Sequence, residues 1–302
     1  MRRVGLVLAL VLVSLVLLAS AFLVEAHIEI RGLDPELPNR AELSRALAVA
    51  DAPSALHLLL TASQPGSDGS IAYPSFALEW ADGRIFLIDT GMDREGARAF
   101  GRIMQRLLGS DPIEAYGSPA ELLGEASGRV QGVAFTHLHN DHTGGLASLC
   151  AGRDRELLVF QTPWQADFGN YTVAPGREDL EAAVCACRER LTGGPVFSVP
   201  GFPGLVAMQA GGHTPGSSVF AARVGDATWV FAGDVTNFRS ALLANEPKPA
   251  AYSLLVTPEA PQVLERLRTW LAALDAAPDF SVVVSHDAGA LKPSGVQPWA
   301  AR

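Results

Sequence analysis

Apolar and polar positions first organise the chain into short runs at 56–62, 73–80 and 84–88, each bounded by Gly, Ser or Asp, and these predict strands. The period then changes: Phe100, Ile103, Met104 and Leu107 recur at three-and-four spacing and predict a helix over about 93–108. A short helix is expected near 119–126, then a strand through Val133-Ala134-Phe135 and another at 157–161. Helices over about 163–169 and 177–191, several short strands between 195 and 234, a helix at about 259–275 and a strand at 281–284 complete the pattern. Residues 27–45 read as irregular, and the tail from Asp287 as a loop. Strands in two groups, with helices interleaved and none detachable, predict a layered α/β sandwich.

The N-terminus follows a different rule. Arg2-Arg3 precedes an uncharged run from Val4 to Val24, and Ala19-Ser20-Ala21 has the small-x-small form of a cleavage site. Residues 1–26 therefore read as an export signal or, because the run is long enough to cross a bilayer, as a single N-terminal membrane anchor. Either way, residues 27–302 form one domain delivered outside the cytoplasmic membrane, as a periplasmic, secreted or outward-anchored protein, because paired arginines stay inside.

Composition narrows the partners. At 302 residues, 48% hydrophobic and 18% charged, the chain can bury a large core. Its formal charge of −9 argues against nucleic acid, which needs clustered Lys and Arg to neutralise phosphate, and leaves a small molecule as the expected partner. Cys150, Cys185 and Cys187 make no metal-binding pattern; they read as small buried residues, with Cys150 free to pair with either of the others in an oxidising compartment.

The chemistry concentrates at Thr136-His137-Leu138-His139-Asn140-Asp141-His142-Thr143-Gly144-Gly145, directly after a strand. Three imidazoles and a carboxylate within six positions are the donors that zinc and other first-row divalent ions accept. His137 and His139, two apart, can face one point, and Asp141 with His142 a neighbouring one, so a single loop can serve two ions. Three later residues break apolar or Gly-rich stretches: His213 within Gly211-Gly212-His213-Thr214-Pro215-Gly216, Asp234 after Trp229–Gly233, and His286 after Val282–Ser285. A carboxylate at an apolar strand's end is costly to bury unless it is paired or metal-bound. Two ions with Asp234 between them fit this set. Phe86–Gly91 and Val230–Val235 both end an apolar strand on an aspartate, a faint internal echo. His27 and His57 lack such a context and read as surface or packing residues.

In this order the residues resemble the metallo-β-lactamase superfamily: HxHxDH at 137–142, then lone His213, Asp234 and His286, with Asp89 at the place of an early aspartate. The resemblance covers roughly residues 56 to 290 and implies a four-layer αββα sandwich. It implies two divalent ions, zinc first with manganese or iron as alternatives. His137, His139 and His213 would hold one, Asp141, His142 and His286 the other, with Asp234 bridging and Asp89 orienting a ligand imidazole. Asp141 and Asp234 are accordingly the expected catalytic carboxylates. The implied activity is hydrolysis, in which two ions lower the pKa of a shared water so that a bridging hydroxide is available near neutral pH.

Within that superfamily the HLHxDH cluster, the Gly-His-Thr-Pro-Gly element and the intervals of 71, 21 and 52 residues resemble the lactonase-like branch, and imply a small ester or lactone as substrate. The tyrosine that such lactonases often carry after the bridging aspartate is missing; the stretch here is Val235-Thr236-Asn237-Phe238-Arg239, which makes Asn237 a candidate for polarising a carbonyl. Trp164, Phe168 and Phe238 flank the motif loops and are candidate pocket walls. A true β-lactamase usually lacks the bridging carboxylate. A thioester hydrolase of the glyoxalase II type or a phosphodiesterase would use the same ligands but expects basic residues this acidic chain does not cluster. A one-iron persulfide dioxygenase and a non-catalytic metal-binding module are the alternatives of another class, and metal content separates them.

Overall fold

The computed structural model describes residues 2–66, 69–168, 176–291 and 294–300. Among them run thirteen strands: β1 (Ala55–Gln64), β2 (Ile71–Glu79), β3 (Ile85–Ile88), β4 (Glu114–Ala115), β5 (Val130–Ala134), β6 (Leu157–Gln161), β7 (Ala186–Arg190), β8 (Val196–Ser198), β9 (Leu205–Gln209), β10 (Ser218–Val224), β11 (Ala227–Phe231), β12 (Phe280–Val283) and β13 (Gln297–Pro298). The helices are α1 (Arg2–Arg31), α2 (Arg40–Leu47), α3 (Arg94–Leu108), α4 (Pro119–Leu123), α5 (Asn140–Thr143), α6 (Pro163–Asp167), α7 (Arg177–Ala182), α8 (Arg239–Leu243), α9 (Ala250–Leu255), α10 (Pro261–Asp275) and α11 (Ala288–Leu291).

One sheet has the order β13-β1-β2-β3-β5-β6-β7 with β4 beside β1; the other has the order β12-β11-β10-β9-β8. The alternation of side chains along each strand decides the layers. On β3, Phe86 and Ile88 enter the core between the sheets, while Ile85 and Leu87 enter the core on the first sheet's outer face. On β10, Phe220 and Ala222 face inward, while Val219 and Ala221 face outward to meet Leu264, Leu267 and Leu271 of α10. Both faces of each sheet are therefore covered, and the stack is helix, sheet, sheet, helix, as expected.

Parallel pairs place the chemistry. β3 and β5 run parallel, with Ile88 opposite Ala134, and β11 and β12 run parallel, with Phe231 opposite Val283. Side chains beyond the carboxyl ends of each pair thus emerge side by side, where ligands bind in open α/β sheets.

Four expectations are corrected. Residues 177–191 are not one helix: α7 ends at Ala182, and β7 pairs parallel with β6. Arg188, Glu189 and Arg190 are exposed on this edge strand, so its charges suit an unpaired sheet edge and carry no alternation to read. Residues 27–45 are not irregular: α1 runs on to Arg31, and α2 begins at a capping box in which Asn39 accepts from the Glu42 amide at 3.0 Å and Glu42 from the Asn39 amide at 2.8 Å. The tail forms α11 and β13 rather than a plain loop. Cys150 and Cys185 are joined as a disulfide rather than merely buried, and Cys187 is free. The expected helices 93–108 and 163–169 are present as α3 and α6; Ile103, Met104 and Leu107 have side chains outside the described set, as does residue 169.

The disulfide closes a separation of 35 residues between the 3₁₀ turn Leu146–Cys150, which follows the histidine loop, and the residue before β7. Replacing Cys150 and Cys185 together by serine is expected to cost about 4 kcal/mol, from the freedom returned to the unfolded chain. Equilibrium urea unfolding of the two proteins checks this; equal midpoints would remove the bond from the stability of the fold.

Candidate metal centre

Asp89 follows β3 and sits at φ 58°, a left-handed conformation that an aspartate tolerates better than most residues at a cost of about 1–2 kcal/mol. Its side chain holds the neighbouring loop. The Thr136 amide donates to Oδ1 at 2.7 Å, the Thr136 hydroxyl to Oδ2 at 2.9 Å, and His142 Nδ1 lies 2.9 Å from the same Oδ2. The carboxylate accepts, so Nδ1 carries a proton and the ring is turned with Nε2 facing the centre.

Two more imidazoles are oriented in the same manner. His286 Nδ1 lies 2.7 Å from the Ala72 carbonyl, which can only accept. His213 Nδ1 lies 2.7 Å from Glu259 Oε1. Each leaves Nε2 facing inward. His137 Nε2 and His139 Nδ1 are 2.8 Å apart, and His213 Nε2 is 3.3 Å from His139 Nδ1.

The two sheets meet over this point. Ser218 on β10 donates its amide to the Thr136 carbonyl at 2.7 Å. Gly233, at φ 59°, comes so close to Thr136 that a Cβ there would meet the Thr136 Cβ at 2.7 Å. Glycine is required on both counts. This approach brings Asp234 into the loop: its Oδ2 is 3.0 Å from His286 Nε2 and 3.6 Å from His213 Nε2, and its Oδ1 is 3.4 Å from His142 Nε2. Asp141 Oδ2 lies 3.6 Å from His286 Nε2 and 3.9 Å from His142 Nε2.

All seven expected ligands are buried and brought to one place. Three overlapping sets have donor atoms mutually within 4.8 Å: His137, His139 and His213; His137, His142 and Asp234; Asp141, His142 and His286. The donor chemistry fits divalent cations. Among the described residues, His139 Nε2, His142 Nε2 and Asp234 Oδ1 are buried without a hydrogen-bond partner, a costly condition that a cation shared by such atoms would relieve.

The electrostatics divide the imidazoles. Burial, reinforced by the His142 and other neighbouring rings, pushes His137 well below its ordinary value, and burial with His213 does the same for His139. Burial opposes the charge on His142 as well, but Asp89, Asp141 and Asp234 outweigh it and hold that ring well above its ordinary value. His286 is raised because Asp234 outweighs its burial. Asp234 is held well below the usual carboxylate range, since His286 and His142 overcome its desolvation.

Other residues complete the centre without having advertised themselves. Lys248 donates to the Asp234 carbonyl at 2.9 Å and to Glu259 Oε1 at 3.1 Å, and Ser253 also donates to Glu259. Burial opposes the charge on Glu259, yet Lys248 and His213 outweigh it and hold the carboxyl down to about 2. Tyr73 packs edge-on to His286 with ring centroids 5.5 Å apart and donates its hydroxyl to Gln64 Oε1 at 3.1 Å. Tyr252, on α9, has its ring 5.4 Å from the Lys248 ammonium. The signal that could have found Lys248 is a lone lysine between Pro247 and Pro249; Glu259 stands two residues before α10 and reads as an ordinary acidic residue at a helix start.

The weaker candidates lie around the rim. The Trp164 ring packs against Gly211, two residues from His213, and the Phe238 ring against Gly69. Both are half-buried, as are Phe168 at the end of α6 and Asn237. His57 stacks edge-on to Trp299, and His27 Nε2 is 3.1 Å from the Leu254 carbonyl, both away from the cluster.

Residues 73–179 match the family model of the metallo-β-lactamase superfamily. No curated protein matches the sequence at a significant level. Among solved structures, an N-acyl homoserine lactone hydrolase with the product N-hexanoyl-L-homoserine bound at its catalytic metal centre is similar with a TM-score of 0.59 and 12% identity, over 81% of this chain and 97% of that one. A B. thuringiensis protein with N-decanoyl-L-homoserine bound at its active site gives 0.59 and 12%, over 81% and 97%. A probable metal-dependent hydrolase from Staphylococcus aureus gives 0.54 and 14%, over 79% and 91%. At these identities the shared property is the fold.

Glu259 generates a prediction for the metal-free protein. Its folded value of about 2 lies below the ordinary 4.5, so its contribution, on the order of 3 kcal/mol, is present above pH 4.5 and is lost as pH falls from 4.5 towards 2. Glu259→Gln leaves Lys248 buried without its partner charge and is expected to cost about 3–5 kcal/mol at pH 7, with the difference from wild type shrinking through that acid window. Urea unfolding of the chelator-treated proteins between pH 2 and 7 measures it; a difference independent of pH would contradict the assignment.

Proposed function

We propose that this chain, whose residues 73–179 belong to the metallo-β-lactamase superfamily, is an exported, dinuclear metal-dependent hydrolase that opens a small ester or lactone. The observation that carries this reading is the position of Asp234, whose Oδ2 stands between His213 at 3.6 Å and His286 at 3.0 Å and so between the outer two of the three donor sets. His137, His139 and His213 would hold one divalent ion, Asp141, His142 and His286 a second, and Asp234 both; zinc suits this donor set, with manganese or iron as alternatives. Such a pair supplies a nucleophilic hydroxide near neutral pH and polarises the substrate oxygen.

The chain's own residues hold that arrangement. Asp89 fixes the His142 ring, Ala72 the His286 ring, and Glu259 the His213 ring, so three Nε2 atoms are turned to the centre before any ligand arrives. Lys248 ties Glu259 to the backbone of Asp234, keeping the His213 and Asp234 donors in register. Burial keeps the Tyr252 hydroxyl protonated well into the alkaline range, which makes it a hydrogen-bond donor near the site in a chain that lacks a tyrosine directly after Asp234. Asn237, Trp164, Phe168 and Phe238 remain candidate substrate contacts.

An ester or lactone is favoured because the similar solved structures that hold a product hold an acyl homoserine at the metal centre or active site. A bridging carboxylate at Asp234 weighs against a true β-lactamase. Export is supported by the Cys150–Cys185 disulfide, which persists in oxidising compartments, and by Arg2-Arg3 before the apolar run.

Metal analysis and a panel of a lactone, an aryl ester, a cephalosporin, a thioester and a phosphodiester test the reading together. Two zinc-like ions per chain and turnover of the lactone or ester are expected; one iron per chain, or two ions with no turnover, would replace it by the dioxygenase or the binding module. Chelator is expected to abolish activity, and Asp141→Ala, which removes a ligand of the second ion, to lower kcat/KM by roughly 10²–10³-fold by weakening that ion's binding and the charge stabilisation it would supply. Full activity of either preparation would overturn the mechanism.

A further inference from the structure

α1 is one continuous helix from Arg2 to Arg31, and its length from Leu10 to Arg31 suffices to cross a bilayer, about 33 Å at 1.5 Å per residue. Leu12, Leu17, Leu18 and Val24 on it are exposed. After Glu25 the same helix enters the domain without a break: Ala26 and Ile30 are buried, and Ile30 joins the core with Leu43 and Leu47 of α2 and with α10. The domain therefore begins within one turn of the end of the apolar run.

At that point α1 touches α9. His27 Nε2 meets the Leu254 carbonyl at 3.1 Å. The surface beside the contact is apolar and open: Ile28 is 69% exposed, Leu254 54%, and Leu255 59%. The segment between α8 and α9 extends the same character, with Leu243, Ala244, Pro247, Pro249, Ala250 and Ala251 all exposed. Its two charged residues are Glu246, which is exposed, and Lys248, which is turned into the metal centre. Exposed large apolar groups in sequence, beside a membrane-length helix, mark an interaction surface.

We propose that α1 is retained as an anchor and that the α8–α9 segment, residues 241–256, rests in the lipid interface, so that the bilayer forms one side of the entrance to the metal centre. The partner is a lipid bilayer because the apolar surface is continuous with α1, which has no other solvent suited to its exposed side chains. The same segment carries Lys248 and Tyr252 inward, so the wall of the site on this side is the back of the lipid-facing surface. Resting on the hydrolase reading, the substrate class follows: an ester or lactone with an acyl chain long enough to partition into membrane, entering from the bilayer.

The test uses the full chain reconstituted in phosphatidylcholine–phosphatidylglycerol nanodiscs. In a Cys187→Ser background, Leu255→Cys and, as a control on the opposite helical layer, Val184→Cys are each labelled with a polarity-sensitive nitrobenzoxadiazole. The label at 255 is expected to shift to the blue and to be quenched by doxyl-labelled lipid, and the label at 184 to stay in water. A label at 255 that iodide quenches and doxyl lipid does not, or one shielded only as protein concentration rises in detergent, would overturn the proposal, the second in favour of a second copy of this chain. The paired change Leu254→Gln and Leu255→Gln is expected to raise KM for a disc-borne long-chain ester about tenfold and to leave a short water-soluble ester unchanged. Equal effects on both esters would sink the substrate class. Lipid contact at 255 with no turnover of either ester by wild type would instead sink the hydrolase reading and leave the surface standing.

Discussion

Charge burial is the constraint on which the rest of the molecule depends. Five imidazoles and the carboxylates of Asp141 and Asp234 are sealed at one point where the sheets meet, and each would cost several kcal/mol if left uncompensated in a low-dielectric interior. The protein anchors the outer nitrogens: Asp89, Glu259 and the Ala72 carbonyl each accept a hydrogen bond from an Nδ1, so the inner nitrogens converge on one volume. There the Nε2 atoms of His139 and His142 and Oδ1 of Asp234 are buried without a partner, a balance that cations would complete.

No single layer of the fold owns the site. The first sheet contributes Asp89 and the loop from His137 to His142, and the second contributes His213, Asp234 and His286. Their meeting rests on what is missing as much as on what is present. Gly233 has no side chain where Thr136 passes. Within the first sheet, Gly91 has none where a Cβ would fall 2.1 Å from the Thr61 hydroxyl, which lets the loop after Asp89 lie against β1. A methyl group at Gly233 would part the ends of the two sheets and separate Asp234 from His142. Metal affinity and the packing between the sheets are thereby coupled, since the same close approach serves both.

The ligands were legible because each interrupts an apolar or glycine-rich run for which packing alone offers no reason. His213, Asp234 and His286 stand out in this way, and the spacing within 137–142 did the rest. The layers were legible because the apolar runs fall into two groups with helical stretches between them, although β3 and β10, buried on both faces, carry no alternation to read. Lys248 and Glu259 were not, because their meaning lies in a contact eleven residues apart across α9, which neither residue type announces by itself. β7 was hidden by its own solvated edge, whose charges mimic a helix surface. α2 was hidden because eight residues with two buried leucines, Leu43 and Leu47, give too short a period to read. The partner of Cys150 depended on which of two cysteines, two residues apart in the chain, faces the turn Leu146–Cys150, and the pairing of β6 with β7 decides that.

The chain between Asp234 and Glu259 joins these themes. Within 26 positions it supplies the central carboxylate, an exposed apolar stretch, the buried lysine and the acid that aligns His213. Lys248 and Tyr252 hang from the inner side of the stretch whose outer side carries Leu254 and Leu255, so one piece of chain holds both the open apolar surface and the ion pair that orients His213. Removing either partner of the Lys248–Glu259 pair strands a buried charge, whereas replacing both by apolar groups need not be costly. The value of the pair is therefore positional as well: it ties the surface segment to the backbone of Asp234 and, through Glu259, to one imidazole of the centre. Surface and centre are two faces of one short piece of chain, with Lys248 as the residue that joins the segment to the donors within.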